Sequence, residues 1–381
     1  MLTLKDKIRK RIWPTLAVIL ALGGVACGGS DQTATDTEPT TNGEDTEQAA
    51  VDGDATEEFD VRLSGAGASF PAPLYQRWFS AINEEYLGLE VSYQSVGSGA
   101  GVEQYLSGTV DFGASDAPLT DEEREEFADE YGSDPLQFPM VGGSVVFAYN
   151  LEGVDNLELP REAYCGIVTG DITSWNDPIL TEANPDIDLP DQEINWVHRS
   201  DGSGTTFIFT NHIDSACPDW EAGAAKSVDW PAGTGGKGNE GVTAQVDQTD
   251  GAIGYVEYAY ANENDIPMAA LENASGNLIE PTPEAAARVF EGAEIPEDFA
   301  LLVPDPEGEE AYPIAGLTWL LVYPEYDDPE VADAIEQVIS WSLENGDDAA
   351  IELGYVPLAE DVAEEVIATM DEEVDTAQAS D

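Results

Sequence analysis

Regular alternation of apolar and polar positions sets in near residue 61. Leu89-Glu90-Val91-Ser92-Tyr93 alternates with a period of two, as a half-buried strand does. Val145-Val146-Phe147-Ala148-Tyr149 and Leu317-Thr318-Trp319-Leu320-Leu321-Val322-Tyr323 are near-continuous apolar runs and predict buried strands. Helical spacing appears at 74–87, 102–107, 121–130, 205–214 and 329–345. In the last, Asp328 can cap, Pro329 suits the first turn and Gly346 can end the helix. Its apolar positions Val331, Ile335, Val338, Ile339 and Leu343 fall on one face. Strands alternating with helices predict α/β layers with mostly parallel sheets. A body running from about 61 to 370 is long for one core, so two α/β lobes are expected.

The two ends follow a different pattern. Lys5 to Arg11 is basic and Ile12 to Val25 is apolar, too short for the ~20 residues of a membrane-spanning helix. This predicts a secretory signal over residues 1–26. Gly24-Val25-Ala26-Cys27 resembles a lipobox, with Gly24 where a leucine is usual, so Cys27 is the expected lipidation site; ordinary secretion is the alternative. Residues 27–60 after it are rich in Asp, Glu, Thr, Gly and Ala and predict a disordered acidic tether. Residues 371–381 have the same composition and predict a disordered tail.

Charge narrows the function classes. The 381 residues carry 78 acidic and 13 basic side chains, a formal net charge of −65. Past Cys27 the cations are Arg62, Arg77, Arg124, Arg161, Arg199, Lys226, Lys237 and Arg288. Such a chain does not bind nucleic acid through phosphates, nor dock on anionic lipid by charge. It fits a halophile, in whose medium the Debye length shrinks to ~3 Å at 1 M salt. The remaining cysteines, Cys165 and Cys217, would sit in an oxidising compartment; a disulfide and two buried thiols are both open.

Three segments share one design: strand, small-residue loop, helix start. They are Leu63 to Pro73, Tyr93 to Gly101 and Val197 to Thr206. The first turn of a helix has amides without intrahelical partners and a positive dipole end. Glycine admits a ligand to the backbone, and Ser or Thr adds hydroxyl donors, so each is a candidate anion site. One such loop is an ordinary capped turn more often than a site. Three in one chain, one of them carrying Arg199, point to an anion that is bound by local dipoles in spite of the net charge.

The motifs Gly65-Ala66-Gly67-Ala68-Ser69-Phe70-Pro71-Ala72-Pro73, Gly97-Ser98-Gly99-Ala100-Gly101-Val102 and Val110-Asp111-Phe112-Gly113-Ala114-Ser115-Asp116-Ala117-Pro118-Leu119 closely resemble the phosphate-binding proteins of the Pst ABC importers. So do Arg199-Ser200-Asp201-Gly202-Ser203-Gly204-Thr205, Gly235-Gly236-Lys237-Gly238-Asn239 and Gly251 to Tyr260, in order along nearly all of 61–370. The resemblance implies an α/β, two-lobed periplasmic-binding-protein fold (type II), with mixed, mostly parallel sheets, flanking helices and a hinge. Lobe one would comprise 61–141 plus 265–370 and lobe two 142–264, with crossings near Val141–Ser144 and between 260 and 312.

By motif, the phosphate ligands would be Ser69 through hydroxyl and backbone, Phe70 through its backbone N–H, Ser98, Asp116, Arg199, Ser203, Gly204 and Thr205. Arg199 offers a fork that suits phosphate, and Asp201 would hold that fork. Asp116 has a chemical rationale. An ionised carboxylate only accepts hydrogen bonds, and phosphate at neutral pH still has a proton to donate whereas sulfate has none. The simpler roles are an N-cap for Asp116 and a turn residue for Asp201. The implied partners are inorganic phosphate and the membrane permease of an importer. The protein would be a monomer without cofactor or metal, extracytoplasmic and lipid-anchored to the outer face of the cytoplasmic membrane, or periplasmic.

A receptor for another oxyanion and a phosphate-ester hydrolase are the rival readings. A hydrolase would need a base beside a site serine. His198 and His212 are the two histidines, and His198 on a strand should point away from its neighbour Arg199. Gly233 to Gly238 is a P-loop fragment without the Ser or Thr after Lys237, and reads as a structural loop. Tyr255, Tyr258 and Tyr260 read as packing, and Asn273-Ala274-Ser275 is a weak glycosylation signal.

Overall fold

The computed structural model describes residues 59–376. The expected signal peptide, Cys27, nearly all of the tether and residues 377–381 lie outside the described residues. The chain begins with β1 (Val61–Gly67), α1 (Ala72–Glu85), β2 (Leu89–Ser95), α2 (Ser98–Leu106), β3 (Phe112–Ser115) and α3 (Asp121–Tyr131). It continues through β4 (Leu136–Tyr149), β5 (Glu158–Leu159), α4 (Arg161–Thr169), α5 (Pro178–Ala183), β6 (Asn195–Arg199) and α6 (Gly204–Ala216). Next come β7 (Thr234–Gly236), α7 (Gly238–Gln248), β8 (Ala252–Glu257), α8 (Tyr258–Glu263), β9 (Ala270–Glu272), β10 (Leu278–Ile279) and α9 (Pro283–Phe290). The last are β11 (Ala315–Val322), β12 (Glu325–Tyr326), α10 (Pro329–Asn345), α11 (Asp347–Leu353), α12 (Glu360–Glu373) and β13 (Asp375–Thr376).

The main sheet has the order β2-β1-β3-β11-β4-β8-β6-β7. Its flanks are parallel: β1 with β2 and β3, and β6 with β7 and β8. Its centre is antiparallel, because β11 runs against β3 and β4, and β8 against β4. The spine is β4, which changes partner along its length. Leu136 to Ser144 pair with β11, and Val145 to Tyr149 pair with β8. Each half has its own aromatic packing. Tyr75, Phe79, Tyr93 and Phe112 interlock on the first half, and Phe147, Trp196, Phe209 and Tyr255 on the second.

Local chemistry sets the helix ends. Asp328 accepts from the Glu330 amide at 3.1 Å and Pro329 opens α10, whose buried stripe includes Ala332, Ile335, Val338 and Ile339. Thr120 and Glu123 form a reciprocal capping box on α3. That removes the N-cap role from Asp116. Cys165 of α4 and Cys217, just after α6, are joined by a disulfide, with Cα atoms 5.5 Å apart.

Three boundaries differ from the sequence reading. The strand expected at 145–149 begins at Leu136, because β11 covers residues in which Pro139, Gly142 and Gly143 mask the strand signal. The lobe boundary expected between 264 and 265 is displaced. Buried Leu271 on β9 pairs with Leu159 on β5, and Arg161 grips Asp305, so these later segments pack with the second half. The tail expected from 371 is ordered through Thr376, since α12 buries Met370, Val374 is buried and β13 pairs with β12.

Candidate anion-binding site

Strands β1, β2 and β6 are parallel to their neighbours and β3 is parallel to β1, and each delivers its carboxyl end to one cleft. Crevices of this kind, where strand order changes direction, are where open α/β sheets bind ligands. Close approach of the loops depends on small residues. Gly97 has φ of +96°, and a Cβ on it would lie 2.4 Å from an Asp201 carboxylate oxygen. A Cβ on Gly204 would lie 2.6 Å from both the Asp116 nitrogen and the Ser98 hydroxyl. The Gly99 amide accordingly donates to the Gly202 carbonyl across the cleft, at 2.9 Å.

All of the sequence-derived ligands are buried around this junction. The Ser69 hydroxyl accepts from the backbone and side-chain nitrogens of Asn239, at 3.1 and 3.0 Å. The carbonyls of Ser69 and Phe70 accept from the phenols of Tyr260 (2.6 Å) and Tyr355 (2.7 Å). Ser98 opens α2, and its hydroxyl accepts from the Gly204 amide at 2.9 Å and the Asp116 amide at 3.3 Å. The 98–101 segment expected as a loop is itself the first turn of that helix. Ser203 caps α6 by accepting from the Thr206 amide at 3.0 Å, which leaves its hydroxyl hydrogen able to donate. Thr205 Oγ1 lies 3.3 Å from Arg199 Nη1, 3.0 Å from Asn239 Nδ2 and 3.5 Å from Asp116 Oδ2.

Two aspartates frame the site, and their surroundings push their ionisation in opposite directions. Asp201 Oδ1 and Oδ2 accept from Arg199 Nε (2.9 Å) and Nη2 (2.7 Å), and the Gly238 amide adds a third donor at 3.1 Å. Burial opposes the charge on Asp201, but Arg199 and these amides outweigh it and hold the carboxyl below its ordinary range. Arg199 is buried too, yet its pairing with Asp201 keeps it firmly charged and leaves Nη1 on the Thr205 side. Asp116 has no such partner. Its Oδ1 accepts from the Thr318 hydroxyl at 2.9 Å, and burial pushes its carboxyl up to about 7 against the pull of Thr318, Arg199, Thr205 and Ser98.

Four residues in the site escaped the sequence reading of ligands. Asn239 joins the two halves through Ser69 and Thr205; it closes the Gly235–Asn239 motif that carries the family resemblance, but is not among the expected ligands. Thr318 lies on β11 and had no sequence signal beyond strand propensity. Tyr260 and Tyr355 hold the first loop, although Tyr260 was read as packing. The histidines are elsewhere. The His198 ring stacks on Trp230 at 4.9 Å, and His212 bonds Tyr164 and the Pro304 carbonyl. Asn273 of the possible glycosylation signal is buried, with its amide donated to the carbonyls of Gly308, Glu309 and Ala311.

A sheet in two halves, with strand ends, helix N-termini and one arginine converging between them, defines a binding protein of the periplasmic-binding-protein class. A family model described as a PBP superfamily domain matches residues 33–345. The phosphate-binding protein PstS of Pasteurella multocida is 40% identical over 318 residues, which cover 82% of this chain and 90% of that protein. PstS of Methanocaldococcus jannaschii is 34% identical, covering 91% of this chain and 90% of that one. The chain belongs to the PstS family of phosphate-binding proteins. A high-affinity periplasmic phosphate-binding protein solved with phosphate at pH 8.5 shares the fold, with a TM-score of 0.69 and 22% identity over 81% of this chain and 93% of its own. A phosphate-binding protein from Stenotrophomonas maltophilia gives a TM-score of 0.66 at 22% identity, again covering 81% and 93%.

Proposed function

We propose that the chain captures inorganic phosphate between the two halves of its sheet, outside the cytoplasm, and delivers it to an ABC-type importer. The observation that carries this reading is the pairing, in one buried cleft, of a charged arginine with an aspartate that has no cation of its own. Arg199, the hydroxyls of Ser69, Ser98, Ser203 and Thr205, and the backbone N–H groups of Phe70 and the α6 start are donors for a tetrahedral oxyanion. Asp116 is the acceptor that sulfate cannot satisfy. Against sulfate it would keep only its Thr318 and Thr205 hydroxyl contacts and face a like charge; a lost bond to a charged group costs about 1.5–3 kcal/mol, and repulsion adds to that.

The protein acts by binding and release rather than by catalysis, since both imidazoles are engaged away from the site hydroxyls. Partner exchange in β4 at Ser144–Val145 supports a hinge there, with the halves closing over the ion. Among the described residues no helix is long and apolar enough to cross a membrane. Attachment through lipidated Cys27 and a free-standing monomer are the finer parts of the reading, supported by the lipobox-like sequence and by self-repulsion at a net charge of −65. The same acidity supports a habitat of high salt.

Calorimetric titration with phosphate and with sulfate tests the proposal. Wild type should bind phosphate far more tightly than sulfate, and Asp116→Asn should narrow that gap by about tenfold to a hundredfold. An unchanged preference in the variant would remove Asp116 from its role.

A further inference from the structure

Beneath the first loop lies a carboxyl group to which the site chemistry above gives no task. Glu257 ends β8 and is fully buried. Its Oε2 accepts from the Ala259 amide at 3.0 Å and lies 3.0 Å from the Tyr355 hydroxyl. Its Oε1 is buried with no hydrogen-bond partner. The Tyr355 hydroxyl also lies 2.7 Å from the Phe70 carbonyl.

A proton inventory follows from these contacts. A phenol has one hydrogen, and a peptide carbonyl can only accept. The shorter contact, to Phe70, therefore takes the Tyr355 hydrogen. The contact between Tyr355 and Glu257 then needs a hydrogen from the other side, and only the acid form of Glu257 has one. Oε1 tells the same story. A carboxylate oxygen buried without a donor is costly, whereas the carbonyl oxygen of a neutral acid is much less so.

Among the described residues, the charged groups that act on Glu257 are acidic. From the end of β3 Asp116 acts on Glu257, and from α8 Glu263 does; both are acidic. Tyr258 and Tyr260 of α8 and Tyr355 after α11 are phenols, and β4 faces it with Val145. Burial, with those two acids, pushes the Glu257 carboxyl well above its ordinary range.

We propose that Glu257 is a positioning residue held as the neutral acid, which donates to Tyr355 and so braces the Ser69–Phe70 loop for the anion. This rests on the phosphate reading of the cleft. The peptide between Ser69 and Phe70 is planar, so pinning the Ser69 carbonyl on Tyr260 turns the Phe70 N–H the opposite way. Pinning the Phe70 carbonyl on Tyr355 fixes the next peptide, and Glu257 fixes Tyr355. The Glu257 backbone also donates to Asn239 Oδ1 at 2.9 Å, which orients the Asn239 amide toward Ser69 and Thr205. A neutral acid supplies this bracing without adding a negative charge below an anion site.

Infrared difference spectroscopy of wild type against Glu257→Gln at pH 8, with and without phosphate, reads the protonation state directly. The wild type should show the carbonyl band of a protonated carboxylic acid that the variant lacks. Phosphate titrations from pH 6 to pH 9.5 read the role. Glu257→Gln keeps a neutral donor and should bind within about threefold of wild type at pH 7, while Glu257→Ala should bind at least about tenfold more weakly. The ratio of wild-type to Gln affinity should fall toward alkaline pH, because only the wild type can ionise there. Absence of the band, a Gln variant binding tenfold tighter at pH 7, or an Ala variant equal to wild type would each overturn the proposal. Wild type that fails to bind phosphate would instead refute the reading of the cleft, while the band would still decide the state of Glu257.

Discussion

The two halves of the cleft meet the same ion with opposite equipment. The second half supplies Arg199 and the capped start of α6. Among the described residues the first half brings no cation to the site: it offers Ser69, Ser98, the Phe70 peptide and the acidic Asp116. The contrast is sharpest in the two aspartates. Asp201 is clamped by a guanidinium and held ionised, while Asp116, one sheet-half away, is pushed by burial toward sharing its proton. A net charge of −65 has little say in either. Partners within hydrogen-bond reach decide the potential of the site, which is how an acidic protein can hold an anion.

Removing the cation should have the largest effect. Arg199→Ala deletes the charged donor and leaves the half-buried Asp201 with one amide partner. Truncating a buried charged donor to a bound partner costs about 2–5 kcal/mol, so phosphate affinity should fall by at least about thirtyfold, and the loss of the pair with Asp201 should lower the melting temperature as well. Arg199→Lys keeps the charge but not the two-point grip on Asp201, and should fall between. If Arg199→Ala bound phosphate within tenfold of wild type, the division of labour between the halves would be wrong.

Asp116→Asn probes the other half, and its stability effect has a definite sign. The folded carboxyl titrates near 7 rather than at its ordinary 3.8. A raised value favours the protonated form in the folded state, a contribution complete below the ordinary value and lost as pH rises through about 7. Without phosphate, the Asn variant should therefore melt above wild type at pH 8 and close to it at pH 4. Thermal melts across that range check it; a constant offset would point to packing rather than ionisation.

Asn239→Ala should give a smaller loss. One amide spans Ser69 and Thr205, so its removal should weaken binding by about five- to thirtyfold, at roughly 1–2 kcal/mol for the bonds lost. This residue also marks the limit of what the sequence could tell. The three strand–loop–helix units were legible because glycine, serine and a following apolar helix pattern are local signals, and their Ser69, Ser98, Ser203 and Thr205 are buried together at the loop junction. Asn239 and Thr318 meet their partners 170 and 202 residues away, so neither contact shows locally, although Asn239 sits in a recognisable motif and Thr318 does not. The same holds for β4, whose first nine residues look broken by proline and glycine until β11 is laid beside them. The displaced lobe boundary has this cause too, since the pairing of Leu271 with Leu159 is a long-range event.

The smallest expected effect concerns what keeps the halves together. Glu123 of α3 belongs to the first half, and its Oε1 pairs with Lys226, whose carbonyl accepts from the Ser203 amide in the second. Both side chains are partly exposed, so the pair contributes only about 0.5–1 kcal/mol and is screened by salt. Glu123→Gln removes the charge but keeps an acceptor for the Thr120 amide, so the α3 capping box survives. Stopped-flow release of phosphate should then speed up by about two- to fivefold at low ionic strength, since such changes act mainly on dissociation. At molar salt the two rates should converge. Persistence of the difference there would mean that packing around Lys226, and not its charge, holds the first half against the second.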